Sequence, residues 1–198
     1  MTVLWLIGGY LCGSVSTAIV ICHMLGLGDP RTVGSRNPGA TNVLREFGKV
    51  AAGLTLFGDI AKGFIPVAIC MFLDFDQLSS ALAGVGAFIG HLYPVFFRFT
   101  GGKGVATLVG VLLGFDISLG IAFVACWIAI ASATRYSSLA ALIATVFAPV
   151  LAHILNLSPA VVVATSGMGV LIFWRHRSNI RDLLNNTEDK IGGSGPKS

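Results

Sequence analysis

The sequence predicts an all-α, polytopic integral membrane protein, and three observations carry that prediction. Charged residues make up only 11% of the chain against 55% hydrophobic residues, whereas soluble domains carry about 25% charge. Apolar runs of about 20 residues, the length a helix needs to cross about 30 Å of hydrocarbon, recur along the chain. Its basic residues fall in alternate connections between those runs, the asymmetry that orients a membrane protein. A mean hydropathy of +0.84 rules out water as the main solvent. The spans leave no room for a separate soluble domain, so residues 1–198 are expected to form one transmembrane domain.

Seven helices are expected, at residues 3–27, 50–73, 79–99, 102–115, 117–134, 139–157 and 160–174. No basic n-region precedes the first, which is read as a retained helix rather than a signal peptide. The second carries Asp59 and Lys62, three residues apart. Charge inside hydrocarbon is costly and seldom idle, and an ion pair that fixes packing is favoured over a proton path. His91 and His153 are single residues in apolar helices and read as hydrogen-bonded structural groups. The fourth helix is the awkward one. Its apolar run, Val105–Phe115, is too short to span unless the Gly101-Gly102-Lys103-Gly104 run forms its first turn or the segment is re-entrant.

Small residues four apart, Gly9 with Gly13, Gly86 with Gly90 and Gly110 with Gly114, predict close helix packing. Cys12, Cys22, Cys70 and Cys126 lie inside apolar runs without a C-x-x-C pair, so they read as small apolar fillers. No His, Asp, Glu or Cys grouping has metal-ligand spacing. Residues 189–198 form a glycine-rich tail expected to be flexible.

Charge sets the expected topology. Arg31, Arg36, Arg45 and Lys49 occupy the first connection, Arg98 and Lys103 the third, and Arg135 the fifth. Arg175, Arg177, Arg181, Lys190 and Lys197 occupy the tail, and the other three connections hold no Lys or Arg. Seven helices then put the N-terminus outside and the C-terminus in the cytoplasm. That topology gathers four polar clusters on the cytoplasmic face: residues 34–45, residues 101–104, Tyr136-Ser137-Ser138 and Arg175-His176-Arg177-Ser178-Asn179. Attraction to anionic lipid accounts for part of the positive charge, but not for the glycines and short polar residues interleaved with it.

The first cluster, Gly34-Ser35-Arg36-Asn37-Pro38-Gly39-Ala40-Thr41-Asn42-Val43-Leu44-Arg45, is turn-rich, and its Gly34, Pro38 and Gly39 oppose a long regular element. The guanidinium forks suit phosphate or carboxylate. Gly101-Gly102-Lys103-Gly104-Val105-Ala106-Thr107 is a glycine-rich turn opening a helix. Backbone N–H groups, a helix N-terminus and a lysine together favour an anion, although a flexible hinge has the same composition. The spacing is not that of the nucleotide P-loop. His176 and Asn179 share one face if the last helix continues. His176 suits a general base and equally a partner of the helix C-terminal dipole.

Gly34-Ser35-x-Asn37-Pro38-Gly39-Ala40-Thr41-Asn42-Val43-x-Arg45, Gly101-Gly102-Lys103-Gly104-Val105-Ala106-Thr107 and His176-x-x-Asn179-Ile180 resemble, in order, the three motifs of the bacterial acyl-phosphate–glycerol-3-phosphate acyltransferases. The resemblance spans nearly the whole chain. It implies transfer of a fatty acyl group from acyl phosphate to the 1-hydroxyl of glycerol 3-phosphate, giving lysophosphatidic acid and phosphate, the first step of phospholipid synthesis. It implies Ser35, Arg45, Lys103, His176 and Asn179 as catalytic residues, with Thr41, Asn42, Gly101, Gly102, Gly104 and Ser138 as substrate contacts. Glu188 matches a tail glutamate that the family needs for structure near the site. The resemblance leaves open whether His176 or the substrate's own phosphate is the base.

The same resemblance implies no metal and no cofactor. Its expected partners are the two substrates, membrane lipid and the soluble enzyme that makes acyl phosphate; nucleic acid is not among them. Its expected place is the bacterial inner membrane, with the site facing the cytoplasm.

Rival readings fit less well. Other glycerolipid acyltransferases use a His with Asp five residues later, which none of His23, His91, His153 and His176 has. CDP-alcohol phosphotransferases need clustered Asp residues to hold metal. An anion transporter would show internal repeats and polar residues near the midplane, and only Asp59 and Lys62 answer to the latter.

Overall fold

The computed structural model describes residues 2–192, and among these every regular element is helical. In chain order the helices are α1 (Thr2–Gly13), α2 (Thr17–Met24), α3 (Ala40–Phe47), α4 (Lys49–Phe72) and α5 (Gln77–Leu92). After a 3₁₀ turn at Val95–Phe97 come α6 (Val105–Phe115), α7 (Ile117–Thr134), α8 (Ser137–Ile154), α9 (Pro159–Arg175) and α10 (Arg177–Leu184). By length and composition, five stretches can cross a membrane: Thr2–Met24, Lys49–Phe72, Gln77–Phe97, Ile117–Thr134 and Ser137–Ile154. α6 and α9 are shorter apolar helices. The outer faces present Phe57, Phe72, Val163 and Val170 uncovered, an arrangement that only hydrocarbon solvates well. The chain is a multi-pass membrane protein.

α5 is the axis of the bundle: 61% of its apolar window is buried, against 22% for α7. Gly9 and Gly13 of α1 back onto the carbonyls of Ala83 and Ala87, and Gly86 and Gly90 of α5 onto those of Leu6 and Tyr10. A β-carbon at any of these four positions would overlap backbone, so the small-residue spacing does set the α1–α5 approach. Gly110 does the same for α6 against Ile60 O of α4. Phe88, Leu92, Leu108, Leu112, Leu119, Met168 and Ile172 fill the space between α5, α6, α7 and α9. All four cysteines are free thiols, with Cys22 and Cys70 buried.

Three predicted boundaries change, each for a local reason. The first helix is broken at Ser14–Ser16, where Lys62 Nζ donates to Val15 O at 2.8 Å, replacing the helical bond that this carbonyl gives up. The third ends at Leu92 rather than 99, because Tyr93 precedes a proline and takes φ −133°. The fourth begins at Val105 rather than 102, since Gly104 at φ +92° cannot continue a helix. Asp76, Asp116 and Ser158 cap α5, α7 and α9 by accepting from the N–H groups of Ser79, Leu119 and Val161. Residues 34–45, read as a turn-rich stretch, give way at Ala40 to the eight-residue α3.

Candidate active site

The glycine-rich stretch is a strap, not a hinge. Gly102 N donates to His91 O at 3.1 Å, and a β-carbon on Gly102 would overlap the His91 imidazole. On the opposite face, Arg175 donates from Nε to Gly102 O at 3.1 Å and from Nη2 to Gly101 O at 2.8 Å. Arg175 in turn lies over the Tyr93 ring, 5.7 Å from its centroid. The strap is therefore clamped, and Gly104 delivers the chain into α6, whose first turn has no side-chain cap among the described residues. Its N–H groups remain available to an anion.

Lys103 projects from the clamped strap and donates to Asn179 Oδ1. Asn179 Nδ2 donates to both oxygens of Glu188, at 2.8 and 3.1 Å, and Ser138 Oγ donates to Glu188 Oε1. Lys103 from the strap, Ser138 from the first turn of α8, Asn179 from α10 and Glu188 from the segment after α10 thus form one chain of charge-assisted hydrogen bonds. Burial pushes the Lys103 ammonium below the usual lysine pKa, Arg175 and Arg45 push the same way, and Glu188 opposes them.

His176 sits at the joint between α9 and α10, only 4% exposed. Its Nδ1 lies 2.9 Å from Ile172 O. A carbonyl only accepts, so Nδ1 carries the proton and Nε2 keeps its lone pair. Burial, with the charges of Lys103 and Arg175, lowers the His176 pKa to about 4.

The first motif is built differently. Asn42 is 2% exposed and holds the loop together. It accepts from Ser35 N and Oγ at 2.9 and 3.1 Å and donates to Pro30 O and Val33 O at 3.0 and 3.3 Å. Asp29 and Arg31 form a bidentate pair beside it, closing to 2.7 Å, and the guanidinium holds the Asp29 carboxyl below the usual carboxylate range. Ser35 and Thr41 stay exposed. Arg45 pairs with Asp189, Nη1 to Oδ2 at 3.2 Å and Nη2 to Asp189 O at 3.1 Å.

Of the residues singled out in the sequence, Lys103, Asn179, Glu188 and Ser138 come together in one network, with His176 and Arg45 in its field. Ser35 and Asn42 bond to one another within their own loop. Arg175, placed in the sequence among the topology charges and in the fourth polar cluster but given no role of its own, clamps the strap. Its place beside His176 was the available signal. Asp189 had no signal at all. Ile191, in the expected flexible tail, exchanges backbone and side-chain bonds with Arg135, N to O at 2.7 Å and O from Nη2 at 2.9 Å; residues 193–198 lie outside the described residues.

A family model described as glycerol-3-phosphate acyltransferase matches residues 3–186. The chain is 50% identical over 195 residues to the glycerol-3-phosphate acyltransferase of Halorhodospira halophila, covering 98% of this chain and 99% of that protein. It is 48% identical over 195 residues to that of Hydrogenovibrio crunogenus, covering 96% and 93%. It superposes on a crystal structure of PlsY, an integral membrane glycerol 3-phosphate acyltransferase in its glycerol 3-phosphate form, with TM-score 0.92, 38% identity and 96% of each chain covered. The lysophosphatidic acid form of PlsY gives TM-score 0.90 at 37% identity, covering 96% of this chain and 95% of that one. The chain belongs to the glycerol-3-phosphate acyltransferase family.

Proposed function

We propose that the protein transfers a fatty acyl group from acyl phosphate to the 1-hydroxyl of glycerol 3-phosphate, releasing lysophosphatidic acid and phosphate. The observation that carries this reading is the clamped strap with Lys103 beside the open first turn of α6. Family membership and the ligands named for PlsY support the acceptor and product. Both substrates carry phosphate, and the site supplies Lys103, Arg45 and uncapped N–H groups for it.

An acyl phosphate is a mixed anhydride with a good leaving group. The glycerol hydroxyl oxygen attacks the carbonyl carbon, the bond from that carbon to the phosphate oxygen breaks, and phosphate departs. Lys103 and the α6 N–H groups offset charge that builds on the leaving phosphate. A substrate phosphate is the better proton acceptor, because its second pKa of about 6 exceeds the value of about 4 for His176. His176 Nε2, an acceptor at neutral pH, orients the glycerol hydroxyl, and Asn179 with Glu188 holds Lys103 in place. Ser35, Thr41 and Arg45 approach from the first motif, and Asn42 shapes their loop. Gly101, Gly102 and Gly104 let backbone approach the phosphate, and Ser138 anchors Glu188.

The topology belongs to the same proposal. The five long spans plus α6 and α9 make seven crossings, with the N-terminus outside and the C-terminus, the four polar clusters and the site on the cytoplasmic side of the bacterial inner membrane. α6 completes its crossing with the strap. The acyl chain lies among helices while its head group meets the strap, and a soluble acyl-phosphate-forming enzyme supplies the donor.

Lys103→Ala and Arg45→Ala test the reading. With acyl phosphate and glycerol 3-phosphate supplied to purified protein, each is expected to lose about 100-fold or more in kcat/KM while still inserting, in line with removal of a charge-stabilising donor. Wild-type rates from both variants would sink the phosphate-cradle account.

A further inference from the structure

We propose that the buried Asp59–Lys62–His91 cluster is the positioning device of the glycine-rich strap, and that Lys62 ties the strap to the break in the first span. The inference rests on reading that strap as a phosphate cradle.

Asp59, Lys62 and His91 are 2%, 6% and 6% exposed, inside helices whose neighbours are apolar. Lys62 Nζ lies 2.8 Å from Asp59 Oδ1, and His91 Nδ1 lies 3.5 Å from the same oxygen. Among the described residues neither Asp59 Oδ1 nor His91 Nδ1 makes a well-angled hydrogen bond, so packing between Asp59 and Gly102, rather than a fixed bond direction, places the imidazole. Burying ions costs several kcal/mol each, and well-packed apolar side chains commonly hold helices together as well as a buried pair does. The cluster therefore calls for a contact that apolar residues cannot make, which Lys62 supplies, and His91 adds a second contact, to the strap.

The first contact is Lys62 Nζ to Val15 O at 2.8 Å, at the break between α1 and α2. α2 leads directly into the loop that carries Ser35. The second is His91 to the strap. Gly102 packs on its imidazole, its backbone carbonyl accepts Gly102 N–H at 3.1 Å, and a β-carbon at Gly101 would overlap that same carbonyl. With Arg175 on the opposite face, the strap has one place to lie, and the next residue is Lys103. Asp59 and Lys62 thus reach both halves of the site without touching substrate. Asp59, Lys62 and His91 are positioning residues, not catalytic ones.

The test compares wild type with Asp59→Asn/Lys62→Met, which removes both charges and leaves no lone buried ion, and with His91→Asn, which keeps an amide donor near Nδ1 and removes the ring under Gly102. Purified protein is melted with and without glycerol 3-phosphate to give the ligand-free melting temperature and the apparent Kd, and kcat is measured separately. The double variant is expected to fold with a melting temperature lowered by the loss of the Val15 O donor, and to bind glycerol 3-phosphate about tenfold more weakly and turn over about tenfold more slowly, since small misplacement of a positioned group costs that much or more. His91→Asn is expected to weaken binding by a similar factor. If the double variant folds with wild-type Kd and kcat, the cluster serves stability alone and the inference is overturned. If the double variant does not fold, wild-type affinity in His91→Asn overturns it. A wrong donor assignment would instead appear as wild-type protein that binds glycerol 3-phosphate but fails to use acyl phosphate.

Discussion

The two arms of the site are built to opposite specifications. The strap of residues 101–104 is buried, gripped by His91 beneath and Arg175 above, and leaves no room for a β-carbon at Gly101 or Gly102. The first-motif arm is held from inside by one buried amide, Asn42, while Ser35 and Thr41 face outward. Among the described residues its Arg45 is tied only to Asp189, whose side chain is 78% exposed. Rigidity costs nothing at the moment of reaction when charge must be met at a fixed point. An arm that must admit substrate cannot be equally closed. On this view the strap is the proposed preorganised half and the first motif the adaptable half.

The rigid arm is most sensitive at Gly102. Gly102→Ala puts a methyl group into the His91 ring and must displace the strap. We expect activity to fall about 100-fold or more, read as kcat/KM, with the protein still folded by its melting curve. Near-wild-type activity would mean that the strap yields and is not the rigid arm.

An effect of middle size is expected from pH at His176, which lies in the field of the strap's Lys103. With its pKa at about 4 in the folded protein and about 6.5 when unfolded, His176 takes up a proton in the unfolded state first as pH falls. Stability therefore declines from about pH 6.5 down to about 4, by at most about 3 kcal/mol, and the contribution is complete above that window. The melting temperature of purified protein should show this slope, and His176→Asn should lack it. Turnover should show no His176 inflection near pH 6.5; one there, lost in His176→Asn, would restore a base role to this imidazole.

The smallest effect is expected at Asp189. An exposed ion pair is worth about 0–1 kcal/mol, so Asp189→Ala should change kcat/KM by no more than about fivefold. A loss approaching that of Lys103→Ala would show that the first arm is clamped as tightly as the strap.

Legibility in the sequence followed the same division. Apolar runs, glycine spacing and charge asymmetry made the helical membrane class, the α1–α5 contact and the polar clusters readable, because each depends on local composition or on period. The break at Ser14–Ser16 was not readable, since it depends on Lys62, which is remote in sequence. The end of α5 was readable in principle from Pro94 and was overrun by the apolar residues that follow it. At the site, Lys103, His176 and Asn179 stood out by residue type. Arg175 stood in a polar cluster without a role, Glu188 was reached only through the family resemblance, and the contacts of Glu188 with Asn179 and of Asp189 with Arg45 form only because the chain folds back after α10. Such contacts have no period and leave no local trace.

Phosphate-bearing substrates are proposed to meet between these two arms, with acyl phosphate as the acyl donor. One measurement addresses this most directly: lysophosphatidate formed by purified wild-type protein from glycerol 3-phosphate, with acyl phosphate or acyl-CoA as donor and a chelator present. Product is expected from acyl phosphate and none from acyl-CoA. Product from acyl-CoA with none from acyl phosphate would contradict the donor assignment.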